Sequence, residues 1–281
     1  MICAGSALGC VGWAKRTGLG AGAMWQDGSG YEAYVGRWSR RVAERFLPWT
    51  EVRRGLDWVD VGCGTGVLTR AIIEVKDPSS VVGIDPSPSF LNRARVTTRD
   101  SRVTFSEGAA GALPLDDGSA DVVASGLVLN FVPALGPAVA DMRRVARPGG
   151  MVTGYVWDYA GEMQLIRRFW EAAVELDPSA AELDEGVRFA ACGPDRLRAA
   201  FELVGLDDVQ VGAIDVSTEF TDFDDYWTPF LSGVGPAPNY ALSLDEAARE
   251  ALRARLDETM PREPDGSIAL IARAWAVRGT V

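Results

Sequence analysis

Histidine is absent from all 281 residues. That removes the commonest general base, the commonest zinc ligand and the usual pH switch near neutrality. Long apolar runs are missing too. No window approaches the ~18 unbroken apolar residues of a membrane-spanning helix, so membrane insertion is not expected. Basic charge is scarce: 28 Lys+Arg against 39 Asp+Glu leave a net charge of −11. So acidic a surface repels phosphate backbones, and nucleic acid is not an expected partner. The densest basic clusters, Arg37 to Arg45 and Arg143 to Arg147, are short and read as helix faces. Cysteine is sparse, and Cys3, Cys10, Cys63 and Cys192 lack metal-ligand spacing, so no metal site is expected. Cys63 lies inside a glycine loop that would hardly accommodate a disulfide, and the expected setting is reducing and cytoplasmic.

What is present begins with a Gly- and Ala-rich stretch, Met1 to Ala23, without alternation. Lys15 and Arg16 follow its apolar run instead of preceding it, which argues against a secretory signal. Ala7-Leu8-Gly9-Cys10 loosely matches a lipoprotein cleavage site but has no basic start. Residues 1–23 therefore read as a disordered extension, with Met24 a candidate for the true start. The remainder divides into an N-terminal helical segment (24–55), a cofactor-binding core (56–158) and a C-terminal half (159–281). The 47% hydrophobic and 24% charged content is ordinary for a globular chain.

From Tyr34 to Trp49 apolar residues recur at helical spacing. Strands are expected at Leu56–Val61, Val81–Ile84, Val103–Phe105, Asp121–Ser125 and Met151–Trp157. Helices are expected between them, over Val67–Val75, through Leu91, Ala94 and Val96 behind a Ser87 or Ser89 cap, and over Ala134–Ala146. Arg147-Pro148-Gly149-Gly150 reads as a break. This alternation predicts a parallel sheet covered on both faces. Beyond Asp158 the rhythm loosens: helices at Met163–Leu176, Pro194–Val204 and Leu244–Met260, strands at Val209–Phe220 and Ser267–Val277, and an aromatic stretch from Asp222 to Pro238 suited to a cap.

Gly62-x-Gly64-x-Gly66, after a strand and before a helix, lets backbone approach a ligand closely. Alone it is a weak signal shared with dinucleotide-binding folds. Asp60 discriminates, because a carboxylate there would repel a pyrophosphate yet favour a ligand carrying an ammonium and a sulfonium. Asp85, 19 residues after Gly66, stands where an acid accepts both hydroxyls of a ribose. The bland alternative for Asp85 is a helix cap leading into Pro86.

Val59-Asp60-Val61-Gly62-Cys63-Gly64-Thr65-Gly66 resembles the first motif of class I S-adenosylmethionine-dependent methyltransferases. Val82 to Ser87 resembles the second, Gly108 to Asp121 a third region of the small-molecule branch similar to ubiquinone and menaquinone biosynthesis methyltransferases, and Arg144 to Gly150 the turn before the fifth strand. The match runs in order from about Leu56 to Asp158. It implies a Rossmann-like methyltransferase fold: a doubly wound, mostly parallel seven-stranded α/β sheet ending in an antiparallel hairpin, with a helical, aromatic cap. It also implies S-adenosyl-L-methionine as cofactor, held by Asp60, Gly62, Cys63, Gly64, Asp85, Pro86, Ala109, Ala110 and Ser125. Ala109 departs from the pattern, since relatives often carry an acid there for the adenine amino group. Backbone atoms alone, or Glu107, would then read the adenine. Arg37 is a candidate for the cofactor's carboxylate, with a solvated helix arginine as the alternative.

Methyl transfer is an in-line displacement at an activated carbon, so alignment can supply ~7–11 kcal/mol of the barrier. With no histidine, any base is a carboxylate or tyrosine, or the acceptor ionises unaided. Candidates for contact with a small organic acceptor are Asn130, Trp157, Tyr226 and Trp227, although such aromatics more often fill a core. The rival readings are an NAD(P)-binding Rossmann oxidoreductase and a non-catalytic S-adenosylmethionine-binding protein.

Overall fold

Each short apolar run followed by glycine or a charged turn becomes a strand, and each amphipathic run becomes a helix laid back on the strands. A computed structural model describes residues 35–189 and 192–281. The proposed extension 1–23, Cys3, Cys10, Met24 and Tyr34 lie outside the described residues. In chain order the elements are α1 (Arg37–Trp49), β1 (Asp57–Val61), α2 (Val67–Lys76), β2 (Ser80–Asp85), α3 (Pro88–Thr97), β3 (Val103–Glu107), β4 (Ala120–Gly126), α4 (Leu135–Val145) and β5 (Ala146–Trp157). There follow α5 (Gln164–Leu176), α6 (Glu185–Arg188), α7 (Pro194–Leu203), β6 (Asp207–Phe220), α8 (Phe223–Trp227), α9 (Pro236–Ser243), α10 (Glu246–Thr259) and β7 (Ile268–Thr280). Ser87 caps α3 as expected, its Oγ accepting from the Phe90 N–H at 3.4 Å.

The seven strands form one sheet in the order β3-β2-β1-β4-β5-β7-β6. β1 pairs in parallel with β2 and β4, β2 with β3, and β4 with β5, while β7 runs antiparallel to β5. The order reverses at β1, so the carboxyl ends of β1 and β4 flank the switch point where ligands of such sheets bind. The expected terminal strand pair, β6 and β7, stands beside β5 at that edge of the sheet. β7 inserts between β5 and β6, and α8, α9 and α10 separate the two strands in the chain.

The chain divides into two compact units. A sheet unit comprises, among the described residues, 38–158, 192–216 and 272–281. Its core on one sheet face joins Val59, Val61, Val123, Val152 and Val156 to Val139, Met142 and Val145 of α4 and Leu197 and Phe201 of α7. Alternation along the strands turns Trp58, Asp60, Tyr155 and Trp157 to the other face. There Tyr155 meets Phe46 of α1, ring centroids 4.6 Å apart. Lys76, the last residue of α2, is buried and donates its ammonium to the Val52 carbonyl at 3.0 Å. Burial lowers its pKa.

The second, helical unit comprises, among the described residues, 35–37, 159–189 and 217–271. Its aromatic core stacks Phe169 on Phe230 at 4.5 Å, with Trp170 and Tyr240 tilted beside them at 5.5 Å. Arg167 grips Asp184 through both terminal nitrogens at 2.6 and 2.9 Å. Fully buried Glu185 accepts from the Trp170 indole N–H, and burial pushes its pKa up to about 7.

One expected turn is part of a strand. Arg147 to Gly150 belongs to β5, and the register jumps from Ala120 opposite Ala146 to Val122 opposite Met151. The surplus residues of β5 break the ladder locally, an irregularity of the kind that bends a strand. Arg147 holds the bulge by bonding Asp121 at 2.6 Å and Asp57 at 3.1 Å. Gly149 takes the left-handed φ of 75°. A Cβ on Gly150 would stand 2.8 Å from the carbonyl oxygens of both Arg147 and Asp121, neither of which can swing aside. Gly150→Ala is therefore expected to cost about 1–3 kcal/mol of stability through forced backbone shifts, read as a lowered urea midpoint at unchanged slope. Gly136→Ala, where an added Cβ meets nothing within 4 Å, should leave that midpoint essentially in place.

Candidate active site

The site is built where β1, β2 and β4 end. Gly62 and Cys63 both donate their N–H groups to the Ile84 carbonyl, at 2.7 and 3.0 Å. Gly64 donates its N–H to Asp85 Oδ2 at 2.9 Å, and the other Asp85 oxygen accepts from the Ser87 N–H at 2.8 Å. The first glycine loop is thus moulded onto the end of β2. Three left-handed φ values, 73° at Gly62, 53° at Gly64 and 85° at Gly66, make the turn. Side chains rarely adopt that region.

The three glycines do different work. A Cβ on Gly62 would fall 2.6 Å from the Val128 side chain, so the segment after β4 packs directly on the loop. At Gly66 it would meet Thr98 and Arg70 at 3.1 and 3.2 Å. At Gly64 it would meet nothing within 4 Å. The middle of the loop faces open space, with backbone alone presented to whatever approaches.

Asp60 is completely buried beneath this loop. Its Oδ2 accepts from the Thr69 hydroxyl of α2 at 2.6 Å, whereas Oδ1 is buried without a partner. Burial pushes its pKa up from 3.8 to about 7; the neighbouring Asp85 carboxylate adds to the rise and the Thr69 hydroxyl opposes it. Burial likewise raises Asp85, against the two N–H groups that favour its ionised form. Two close acids, one of them with an oxygen lacking a hydrogen-bond partner, suit a ligand that brings positive charge and hydroxyl donors. Cys63 is buried and its thiol is pushed well above the usual range by burial, so it is no thiolate nucleophile.

Ser125, at the end of β4, donates its hydroxyl to the Val61 carbonyl at 2.9 Å and ties β4 to the loop's first residue. Pro86 follows Asp85 directly and leads to the Ser87 cap. Gly108 donates to the Asp85 carbonyl at 3.2 Å, which carries Ala109 and Ala110 to the same edge. Ala109 pairs with Ala112 in a small bridge, and Ala110 packs partly buried against the core. Exposed Glu107 ends β3 as the register partner of Asp85.

Asn130 lies in the turn after β4, with both carboxamide atoms buried and unpartnered. Trp157 ends β5, 3% exposed, with its indole N–H unpartnered. The other candidates are engaged within the helical unit. Arg37 donates to both oxygens of Asp225, at 2.9 and 3.2 Å, and to the Glu219 carbonyl at 3.2 Å. An anion of the protein's own already occupies its guanidinium. Tyr226 is fully buried and donates its hydroxyl to the Leu165 carbonyl at 3.0 Å. Trp227 leans on Phe230 at 6.1 Å. Sequence reasoning overlooked Thr69 and Val128. A hydroxyl on the buried face of α2 was an available signal for Thr69, but nothing in the local sequence reveals the Val128 contact.

A methyltransferase domain family model matches residues 59–153. The span opens on β1 and the acid-bearing glycine loop and closes within β5. This stretch is a methyltransferase domain, and the chain resembles class I S-adenosylmethionine-dependent methyltransferases. The chain is 29% identical over 192 residues to a demethylmenaquinone methyltransferase of Staphylococcus carnosus, covering 62% of this chain and 76% of that protein. It is 32% identical over 171 residues to an arsenite methyltransferase of Halobacterium salinarum, covering 59% of this chain but only 41% of the relative. In fold it is similar to a putative methyltransferase from an antibiotic biosynthesis pathway of Anabaena variabilis, with 17% identity, TM-score 0.56, and 86% and 97% of the two chains covered. It is also similar to phosphoethanolamine N-methyltransferase 2 of Haemonchus contortus solved with S-adenosyl-L-methionine, with 16% identity, TM-score 0.54, and 96% and 59% covered. The cofactor of the family, S-adenosylmethionine, fits the acid pair and the open face of Gly64.

The raised pKa of Asp60 has a measurable consequence. A carboxyl whose folded pKa lies above its unfolded value contributes stability below the unfolded pKa, and that contribution is lost as pH rises through the folded one. The window here runs from about 4 to about 7. Unfolding of the unliganded protein is expected to become easier across it, and Asp60→Asn, which keeps an oxygen for Thr69, should flatten the profile. A cationic ligand reverses the preference and ionises Asp60. Calorimetry near pH 7 in buffers of differing ionisation enthalpy should then register proton release on S-adenosylmethionine binding, diminished in Asp60→Asn.

Proposed function

We propose that the protein transfers a methyl group from S-adenosylmethionine to a small organic acceptor by in-line displacement, with the loop from Asp60 to Gly66 and the Asp85 edge as its cofactor site. The observation that carries the reading is the fully buried, unpartnered Oδ1 of Asp60 beneath a glycine whose outer face is open. A desolvated carboxylate oxygen without a donor is costly; an ammonium supplies an N–H, and a sulfonium supplies compensating positive charge. A pyrophosphate would meet two acids, which disfavours the dinucleotide reading.

In this reading each residue has a separate task. Asp60 presents negative charge to the cationic end of the cofactor. Asp85, after accepting the N–H groups of Gly64 and Ser87, retains lone pairs for two ribose hydroxyls. Gly62 and Gly64 keep side chains out of the way, Ser125 fixes the distance between β1 and β4, and the segment through Ala109 and Ala110 edges the adenine with backbone groups. The bound cofactor supplies a methyl carbon on a sulfonium: the acceptor's lone pair forms the new bond, the carbon–sulfur bond breaks, and its electron pair stays on sulfur. The protein's contribution is alignment and exclusion of water. A small acceptor is supported by the names of the two curated relatives, which specify a quinone precursor and arsenite. A cytoplasmic setting agrees with the free, buried thiols of Cys63 and Cys192. Among the described residues no helix is long and apolar enough to cross a membrane.

Isothermal calorimetry tests the proposal. The wild type should bind both S-adenosylmethionine and S-adenosylhomocysteine, and Asp60→Ala or Asp85→Ala should weaken each by tenfold or more. Absence of heat with either ligand in a folded wild type would overturn the reading.

A further inference from the structure

Once Asp60 is assigned to the cofactor, two buried side chains near the same end of the sheet unit still lack partners. Asn130 has both carboxamide atoms buried and unbonded, and Trp157 has its indole N–H buried and unbonded. They sit on neighbouring elements that are tied together. The turn after β4 begins with Leu127 in the left-handed region, φ 60°, a conformation that side chains seldom accept. Leu127 donates its N–H to the Tyr155 carbonyl at 2.8 Å, and the Leu129 side chain stands 3.2 Å from where a Gly154 Cβ would be. Val128, between them, presses on Gly62 of the cofactor loop. The turn carrying Asn130 is therefore fastened to the loop on one side and to the end of β5, with Trp157, on the other.

Buried polar groups in proteins are almost always paired. Strain at Leu127 that places a carboxamide with no bond to make points to a partner outside the chain. We propose that Asn130 and Trp157 are the positioning residues for the methyl acceptor, and that the acceptor is an oxygen-bearing molecule whose oxyanion or carbonyl oxygen receives their N–H groups. The inference rests on the methyltransferase reading and adds the chemical class of its substrate. The inventory decides the class. Asn130 offers two N–H donors and one acceptor, and Trp157 offers one donor and no acceptor. Three donors against one acceptor suit an oxygen with lone pairs. An ammonium would leave the donors unbonded, and a thiol, a weak acceptor, would satisfy them poorly. Neither side chain titrates near neutrality, so the pair orients an acceptor without taking its proton. That proton passes to water before the oxygen or its conjugated carbon attacks the methyl group.

The test uses the full chain with methyl-labelled S-adenosylmethionine and three acceptor panels: phenols with enolisable oxo acids, primary and secondary amines, and thiols. Turnover is expected in the oxygen panel. For the acceptors found there, Asn130→Asp, which replaces two donors by a carboxylate, should raise KM at least tenfold. Trp157→Phe, which keeps the ring and removes the N–H, should raise it severalfold, with kcat changed less in both. Binding of S-adenosylhomocysteine, measured by calorimetry, should stay within twofold of the wild type in both variants, which separates acceptor positioning from loss of fold. The pH profile for each acceptor should follow that acceptor's own acidity. No turnover in the oxygen panel, turnover confined to amines or thiols, or wild-type KM in both variants would overturn the inference. A wild type that fails to bind S-adenosylhomocysteine would instead sink the methyltransferase reading beneath it.

Discussion

The end of β2 shapes everything around it. Its last two residues serve the neighbouring strand as much as their own, the Ile84 carbonyl taking the N–H groups of Gly62 and Cys63 and the Asp85 carboxylate taking that of Gly64. A glycine loop is conformationally permissive and loses more freedom on folding than any other kind of chain. Here three successive donors are satisfied by one strand end, so the permissive loop has a single shape before any ligand arrives. That shape is also transmitted. Gly62 is pressed by Val128, the turn of Val128 is held by Tyr155, and Tyr155 meets α1 through Phe46.

The electrostatic design follows from the same geometry. Asp60 and Asp85 end or nearly end adjacent parallel strands, and the register sets Val61 opposite Ile84. Parallel strands that stop together bring these acids close, and burial makes both resist ionisation. Thr69 bonds one oxygen of Asp60, leaving the other as a localised unmet demand. The acid pair destabilises the protein near neutrality and would be relieved by positive charge, so stability and the binding of any cationic ligand there would draw on one source. The overall charge of −11 adds a diffuse field of the same sign, screened within about 8–10 Å at physiological salt.

Much of this was legible in the chain. The short apolar runs placed β1, β2 and β4 within a residue of their observed bounds, because strands buried on both faces have little sequence freedom. The spacing of Asp60, the three glycines and Asp85 announced the loop, because left-handed φ values and close approach admit few residue types. The bulge in β5 was hidden. Arg-Pro-Gly-Gly reads locally as a turn, and only the carbonyls of Arg147 and Asp121 crowding Gly150 keep it in the sheet. The engagement of Arg37 was hidden for the same reason, since Asp225 lies 188 residues away. The aromatic stretch from Phe223 to Phe230 shows the ambiguity of composition, for rings suited to a pocket are equally suited to the stacked core they join with Phe169. Periodicity reports the environment of an element and is silent about the partner that supplies it.

Every ion pair described above uses arginine, and the chain has only two lysines, Lys15 and Lys76. Lys76 is sealed at the end of α2 with its ammonium on the Val52 carbonyl. The cations of the described surface are thus guanidinium groups, with no amine nucleophile among them. Amine-directed acylation, reductive methylation and amine cross-linking find no accessible lysine on it, while guanidinium-directed dicarbonyls find many targets. The positive charge that holds this fold together is planar, permanent and chemically mute toward the electrophiles that would mark an ordinary protein's surface.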